Sequence, residues 1–347
     1  MPDRFEAVQD ALLCGACGGQ QRYDPASKGL ICDHCGARSD IIDDHYLDAR
    51  REMAYDPKKA EEPPAIDHAH LCQTCGGEVV FVGKAVSDRC PYCNGPVVLN
   101  AGHAHYIPSG LIPFAITQTE AMKQLHGWAA SRVGAPNDLL EKVEQGDIAA
   151  VYAPFWTFDA DKTVSYSARK RVHRGKKTYW RNIKGVTGLM LDDQITAASD
   201  HVTPAIRDGI MHGFDPALLR PYLPEYLAGF AAELHGTNVS DGLGHMMQDL
   251  EPVVHEEIKR DAGSRSLHSI HYTSKLRDVR FRRVLLPLWI LHYRYGDKAK
   301  RIVASGIDGK TFGERPFSKS KLVGYAFVLA VAVFALGGVL GIAASGG

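Results

Sequence analysis

No cysteine lies outside residues 14 to 93 of this 347-residue chain, no apolar run follows the N-terminal Met-Pro-Asp-Arg-Phe-Glu, and the formal charge is zero. Each absence removes a class of protein. Without an unassigned cysteine there is no thiol left for nucleophilic catalysis, and thiols that all stand in ligand pairs suit a reducing compartment. Without an N-terminal apolar region no signal peptide is expected. The signatures H-E-x2-H and G-x-S-x-G are also missing. Gly309-Lys310-Thr311 ends like a phosphate-binding loop, but Ala304 stands where the motif needs glycine, and Phe312-Gly313-Glu314-Arg315-Pro316 opens no helix. The residues point to a protein that is not an enzyme.

What is present is a duplicated cysteine pattern. Cys14, Cys17, Cys32 and Cys35 form C-x2-C-x14-C-x2-C, and Cys72, Cys75, Cys90 and Cys93 repeat it at a constant offset of 58 residues. Four thiolates about 2.3 Å from a zinc ion need two facing tight turns, and each C-x2-C supplies one. Gly15, Gly18, Gly36, Gly76 and Asn94 sit beside or after ligands, where a left-handed backbone aims amides at sulfur. Two zinc ribbons holding two Zn2+ are expected. Cys90-Pro-Tyr-Cys93 has a redox-type dipeptide, yet Asn94-Gly95-Pro96 forbid the helix that redox chemistry requires.

An apolar content of 45% permits a real core. Beyond the ribbons, residues 41–53 read as a short amphipathic helix and 56–70 as a linker. Thr117-x-x-Glu120 is a capping box opening a helix to about Arg132. Residues 148–158, 163–172, 178–184, 279–295 and 300–307 read as strands, with a turn at His173-Arg174-Gly175 and a helix over 242–261 that Pro252 kinks. Ala153-Pro154-Phe155-Trp156 and Leu286-Pro287-Leu288-Trp289, with Ile112-Pro113-Phe114 as a weaker echo, read as equivalent structural corners. Residues 322–344 carry no charge and span about 34 Å as a helix, enough for a hydrocarbon core of roughly 30 Å. Arg315, Lys319 and Lys321 precede this span, so a single-pass tail anchor in the inner (cytoplasmic) membrane, with the N-terminal domains in the cytoplasm, is expected. Gly337-x3-Gly341 offers a face through which two such helices form a homo-oligomer.

The expected fold class is two tandem β zinc ribbons, an α+β domain with an antiparallel sheet, and one C-terminal transmembrane helix. The units are ribbon 1 with its short helix (1–55), a linker (56–70), ribbon 2 (71–104), the α+β domain (105–316) and the juxtamembrane segment with its anchor (317–347).

The zero net charge hides segregation: −6 over residues 1–100, −3 over 101–160, +8 over 161–185, −10 over 186–258 and +11 over 259–347. The acidic ribbons, made more negative by four thiolates per zinc, are a poor surface for nucleic acid. Arg169, Lys170, Arg171, Arg174, Lys176, Lys177 and Arg181 form the candidate site for anionic lipid or another polyanion; the other reading pairs them with the acidic middle segment.

Beyond the two quartets, Gly110-Leu-Ile-Pro-Phe-Ala-Ile, Tyr152-Ala-Pro-Phe-Trp-Thr-Phe-Asp-Ala, Pro224-Glu-Tyr-Leu-Ala-Gly-Phe and Val284-Leu-Leu-Pro-Leu-Trp-Ile complete a wider pattern. With Gly306-x-x-Gly309-Lys and Gly313-Glu-Arg-Pro, it resembles a family of bacterial membrane-anchored double zinc-ribbon (TFIIB-type zinc-ribbon) proteins, often mislabelled primosomal replication helicases. The resemblance implies a non-enzymatic adaptor that recruits phage-shock protein A-like or SPFH-domain proteins in envelope stress or membrane maintenance. The alternative is a membrane-tethered nucleic-acid-binding protein.

Overall fold

A computed structural model describes residues 12–44, 47–59, 65–66, 69–81, 89–95, 97–100, 103–104, 106–132, 134–175, 177–233, 235–318, 320–321, 323–329 and 333. Ribbon 1 is a three-stranded sheet of β1 (Gln21–Asp24), β2 (Gly29–Cys32) and β3 (Arg38–Ser39). Next come β4 (Met53–Ala54), β5 (Ala65–Ile66), β6 (Ala69–Cys72), β7 (Glu78–Phe81), β8 (Val97–Asn100), β9 (His103–Ala104) and β10 (Gly110–Leu111). Helices α1 (Gln118–Ala130) and α2 (Leu139–Glu144) lead into two long strands, β11 (Asp147–Arg174) and β12 (Lys177–Ala197). Then follow α3 (Pro204–Ile210), β13 (Arg220–Pro221), α4 (Pro224–Leu227), β14 (Ala231–Glu233), α5 (Val239–Asp249) and α6 (Glu251–Asp261). The chain closes with β15 (Leu267–Tyr295), β16 (Lys298–Ser305) and β17 (Thr311–Gly313).

Twelve strands form one sheet, and it is mixed where an antiparallel one was expected: β10 runs parallel to β15, and β14 parallel to β11. The two proline corners explain the mixture. Each long strand has a short parallel neighbour just before its proline (β14 at Val151 and Tyr152, β10 at Val284 and Leu285) and an antiparallel return strand just after it, from Phe155 and Leu288. Pro154 and Pro287 thus stand where one neighbour gives way to the next, and a missing N–H breaks no ladder bond there. Their carbonyls accept the Ala198 and Gly306 amides at 3.0 and 2.8 Å. The corner residues share an offset of 133 (Pro154 to Pro287, Trp156 to Trp289), and Ala153 pairs with Leu286, its own counterpart. The body is two similar halves about a pseudo-twofold axis at that pair.

Burial follows from the layers. Residues 151–158 and 281–291 are buried without alternation, because α1 and α2 cover one face of the sheet, α3 with ribbon 2 covers the other, and α5 covers Trp156, Phe158 and Phe281. Phe114 centres the first layer, stacked on Phe230 at 4.4 Å and edge-on to Tyr152 and Trp289 at 5.0 Å. The capping box of α1 forms as expected, with Thr117 and Glu120 exchanging side-chain bonds with each other's amides.

Three expectations change besides the sheet. Among the described residues of 41–53 there is a single 3-10 turn at Asp48–Arg50, because the stretch runs on as β4 beside Arg280 and Phe281. The helix expected over 242–261 is two helices: Asn238 caps α5, and Pro252 sits in the first turn of α6, where its missing N–H costs nothing. The tail anchor, and the inner-membrane location drawn from it, does not stand: among the described residues no helix is long and apolar enough to cross a membrane. The described helical residues of that span, 323–329 and 333, include a continuous piece of about 10 Å. The remainder of 322–344, including the Gly337-x3-Gly341 pairing face, lies outside the described residues.

Phe114→Ala should cost about 3–5 kcal/mol, the range for emptying a fully buried aromatic site, read as a lower urea midpoint at unchanged slope.

Candidate metal centres and the cleft beside them

The four C-x2-C turns share one local design. The amides of Gly18, Gly36, Gly76 and Asn94 close back on the carbonyls of Cys14, Cys32, Cys72 and Cys90 at 2.8 to 3.0 Å, and all four residues have φ between 59° and 74°. Gly15, grouped with them from sequence, is not in the left-handed region. The Gly19, Thr74, Tyr92 and Gly95 amides each donate to a cysteine Sγ at 3.4 Å. Such turns hold sulfur lone pairs inward.

The donor sets converge as a tetrahedral ion requires. The sulfurs of Cys14, Cys17, Cys32 and Cys35 lie within 4.8 Å of one another, as do those of Cys72, Cys75, Cys90 and Cys93. Closest pairs stand 3.5 to 3.7 Å apart. A tetrahedron with metal–sulfur bonds of about 2.3 Å has edges of about 3.8 Å, so each quartet can hold one metal ion with little movement. The Cys35 and His34 amides also lower the Cys32 thiol, against burial.

The ribbons are attached differently. Ribbon 1 keeps its own sheet and docks through Tyr23, whose hydroxyl donates to the Phe114 carbonyl at 3.2 Å and whose ring meets Tyr226 edge-on. Ribbon 2 is built into the main sheet, since β7 pairs with β14 and β14 with β11. Its second turn is gripped from several elements. The Pro91 carbonyl accepts from His292 Nε2 at 2.8 Å, the Asn94 amide group donates to Asp147 at 3.2 Å, and the Tyr92 hydroxyl donates to Glu233. Cys90 and Tyr92 are buried, which is the setting of a structural ligand.

Beside ribbon 2 lies a cleft of about 530 Å3, floored by Cys75 to Glu78 and walled by residues 196–207, with Glu233 and α5. His201 stacks on Tyr92 at 4.5 Å and places Nε2 3.9 Å from Cys75 Sγ. A Cβ on Gly77 would stand 2.6 Å from that Nε2, so glycine is what admits the ring. Burial pushes the Glu233 carboxyl up to about 7, against the hydrogen bonds from Ser199 and Tyr92, and burial lowers His201. Arg207 crosses the far wall, paired with Asp208 at 2.8 Å and with Asp249. Sequence reading missed His201 and Glu233, which no local motif marks; Tyr92, between two ligands, was the one visible cue.

Strand alternation distributes the basic hairpin residues over two faces. Arg169 and Arg171 lie on the face away from the helices, while Lys170, Lys177 and Arg181 alternate onto the other. There Lys170 Nζ donates to the Ala262 and Gly263 carbonyls at 2.6 and 3.1 Å, closing the end of α6. Arg174 ends β11 opposite Lys177, and Lys176 lies outside the described residues.

Two outcomes follow. Cys32→Ser and Cys72→Ser should each reduce the metal content from two ions per chain to one by elemental analysis, with the larger loss of thermal stability for Cys72→Ser, whose ribbon shares the main sheet. Glu233 has a folded-state pKa above its usual 4.5, so its penalty is absent below pH 4.5 and grows as pH rises toward about 7. Glu233→Gln should therefore gain stability over the parent between pH 5 and 8, by up to about 3 kcal/mol, measured as the change in the melting-temperature difference.

No family model matches the chain, and no solved structure matches it. Among curated proteins it is similar to the uncharacterized protein YdjG of Bacillus subtilis (strain 168), at 25% identity over 333 residues, covering 90% of this chain and 92% of that one.

Proposed function

We propose that the chain is a non-enzymatic scaffold in which two zinc-held ribbons, fused to one rigid body, present fixed surfaces to protein partners. The observation that carries this reading is the closed donor set of both centres: four converging sulfurs each, leaving no coordination position for water or substrate. Zinc is the ion that four thiolates in tetrahedral array select over harder divalent cations. The polar groups beside ribbon 2 serve one another: Glu233 accepts from Tyr92, His201 stacks on the same ring, and Arg207 is held by Asp208 and Asp249. Leu13, Ile42 and Leu47, on ribbon 1 and just after it, are 44%, 79% and 63% exposed and offer apolar contact area. The family resemblance supplies the candidate partners, phage-shock protein A-like and SPFH-domain proteins.

Titration calorimetry of the zinc-loaded full chain against purified proteins of these two classes tests the proposal. Binding to one of them, weakened at least tenfold by Ile42→Asp with Leu47→Asp and lost on zinc removal, is the expected result. No heat of binding with either class, from protein carrying two zinc ions, would remove this reading.

A further inference from the structure

Past Phe158 the pattern of β11 changes from continuous burial to strict alternation, and β11, β12 and the first half of β15 leave the body as a three-stranded arm. The root of the arm carries bulges at Asp159 to Asp161, where Asp193 and Asp278 on the outer strands take φ values of 47° and 52°. Helices α5 and α6 cover one face, α5 packing on Ala160 and Leu191 and α6 on Val164, Tyr166 and Ala168. The opposite face carries no element of the chain among the described residues.

Register fixes what that bare face displays. Down the central strand run Thr163, Ser165 and Ser167, then Arg169 and Arg171. Lys184 stands opposite Ser167 on β12, and Lys275 and Arg277 stand opposite Thr163 and Asp161 on β15, with His271 beside Ser167 and His268 beside Arg169. The +8 block and part of the +11 block of the sequence thus meet on one surface, although about a hundred residues separate them. The track from Arg277 to Arg171 is about 33 Å long. Its carboxylates gather at the root, where Asp161 and Met190 line a pocket with Glu52, Asp159, Asp192 and Asp278. None of Arg169, Arg171, Lys184, Lys275 and Arg277 makes an ion pair among the described residues.

Charges on sheet edges commonly block strand pairing between molecules, but Arg169 is paired on both sides, with Asn182 and His268, where no edge needs blocking; Arg171 lies just past the last β15 pair. Trp180 adds a second departure. It is 44% exposed on this face, whereas Trp128, Trp156 and Trp289 are buried, and it is steadied by the Arg169 guanidinium at 5.5 Å and the His268 ring at 4.5 Å. Val186 and Met190, also on this face, are 66% and 84% exposed.

We propose that this bare face of the arm binds single-stranded nucleic acid. The unpaired cations fit phosphates, the low hydroxyl lane of Thr163, Ser165 and Ser167 leaves room for bases and offers their edges hydrogen bonds, and the Trp180 indole gives a base an aromatic partner. A duplex is a poorer fit, because the surface is a flat ribbon with nothing that projects into a groove. An anionic bilayer would use the cations but not the hydroxyl lane. The inference stands apart from the scaffold reading, since it uses neither metal centre nor partner protein.

Fluorescence anisotropy of a labelled twenty-residue oligothymidylate, titrated with the full zinc-loaded chain, tests it. Binding should be measurable at 50 mM salt and, with about five phosphates engaged, weaken roughly 100-fold by 200 mM. Tryptophan emission should be quenched on binding, and the quench lost in Trp180→Leu. R169A/R171A/K275A should reduce affinity at least tenfold at unchanged melting temperature, while the charge-matched K28A/K58A/K123A control should not. No binding at 50 mM salt, equal weakening by the control, tighter binding of a duplex of the same length, or binding only to phosphatidylserine vesicles would each overturn the proposal.

Discussion

The antiparallel pairing of β11 with β15 is the contact on which the other elements rest. Ala153 and Leu286 face each other at its centre, and from that pair outward each half of the body offers the other a strand, a proline corner and a helical layer. Because β10 pairs with β15 and β14 with β11, each half lends its short strand to the long strand of the other. Neither half has a complete sheet alone, so the core is cooperative across the axis. The stacked and edge-on rings of Phe114, Tyr152, Phe230 and Trp289 fill one side of it.

The departures from this symmetry are where function is to be sought. The return strand β16 has 8 residues, whereas β12 has 21, and β15 begins well before the body does. The arm made by these extensions is not needed to close the core; one face is covered by α5 and α6 and the other is left to solvent with its cations unpaired. The ribbons are the other addition. Ribbon 2 continues the main sheet through β14, and its Tyr92 and Pro91 are held by Glu233 and His292, so an ion at this centre is linked mechanically to both long strands. Ribbon 1 hangs on Tyr23 and keeps a separate sheet.

Local chemistry was legible in the sequence. The quartets, the left-handed residues after the second cysteine of each pair and the Thr117 capping box depend on spacings of a few residues. The proline corners could be recognised as equivalent, but not why proline is tolerated there, since that needs the neighbours on both sides of each strand. The apolar run at the C-terminus shows the opposite hazard: composition over 23 residues suggested a membrane helix, and the described structure contains none long enough.

The sequence by itself determined where the cysteine quartets stand, where α1 begins and where β11 turns back into β12, because backbone geometry and side-chain capping act over one or two turns of chain. Tertiary structure alone decided that the sheet is mixed, that His201 and Glu233 meet Tyr92 beside ribbon 2, and that Arg169 and Arg171 of the hairpin lie on one face and Lys170, Lys177 and Arg181 on the other. Those outcomes follow from strand register, which sets the face of each side chain and brings Lys275 and Arg277 beside residues more than a hundred positions away.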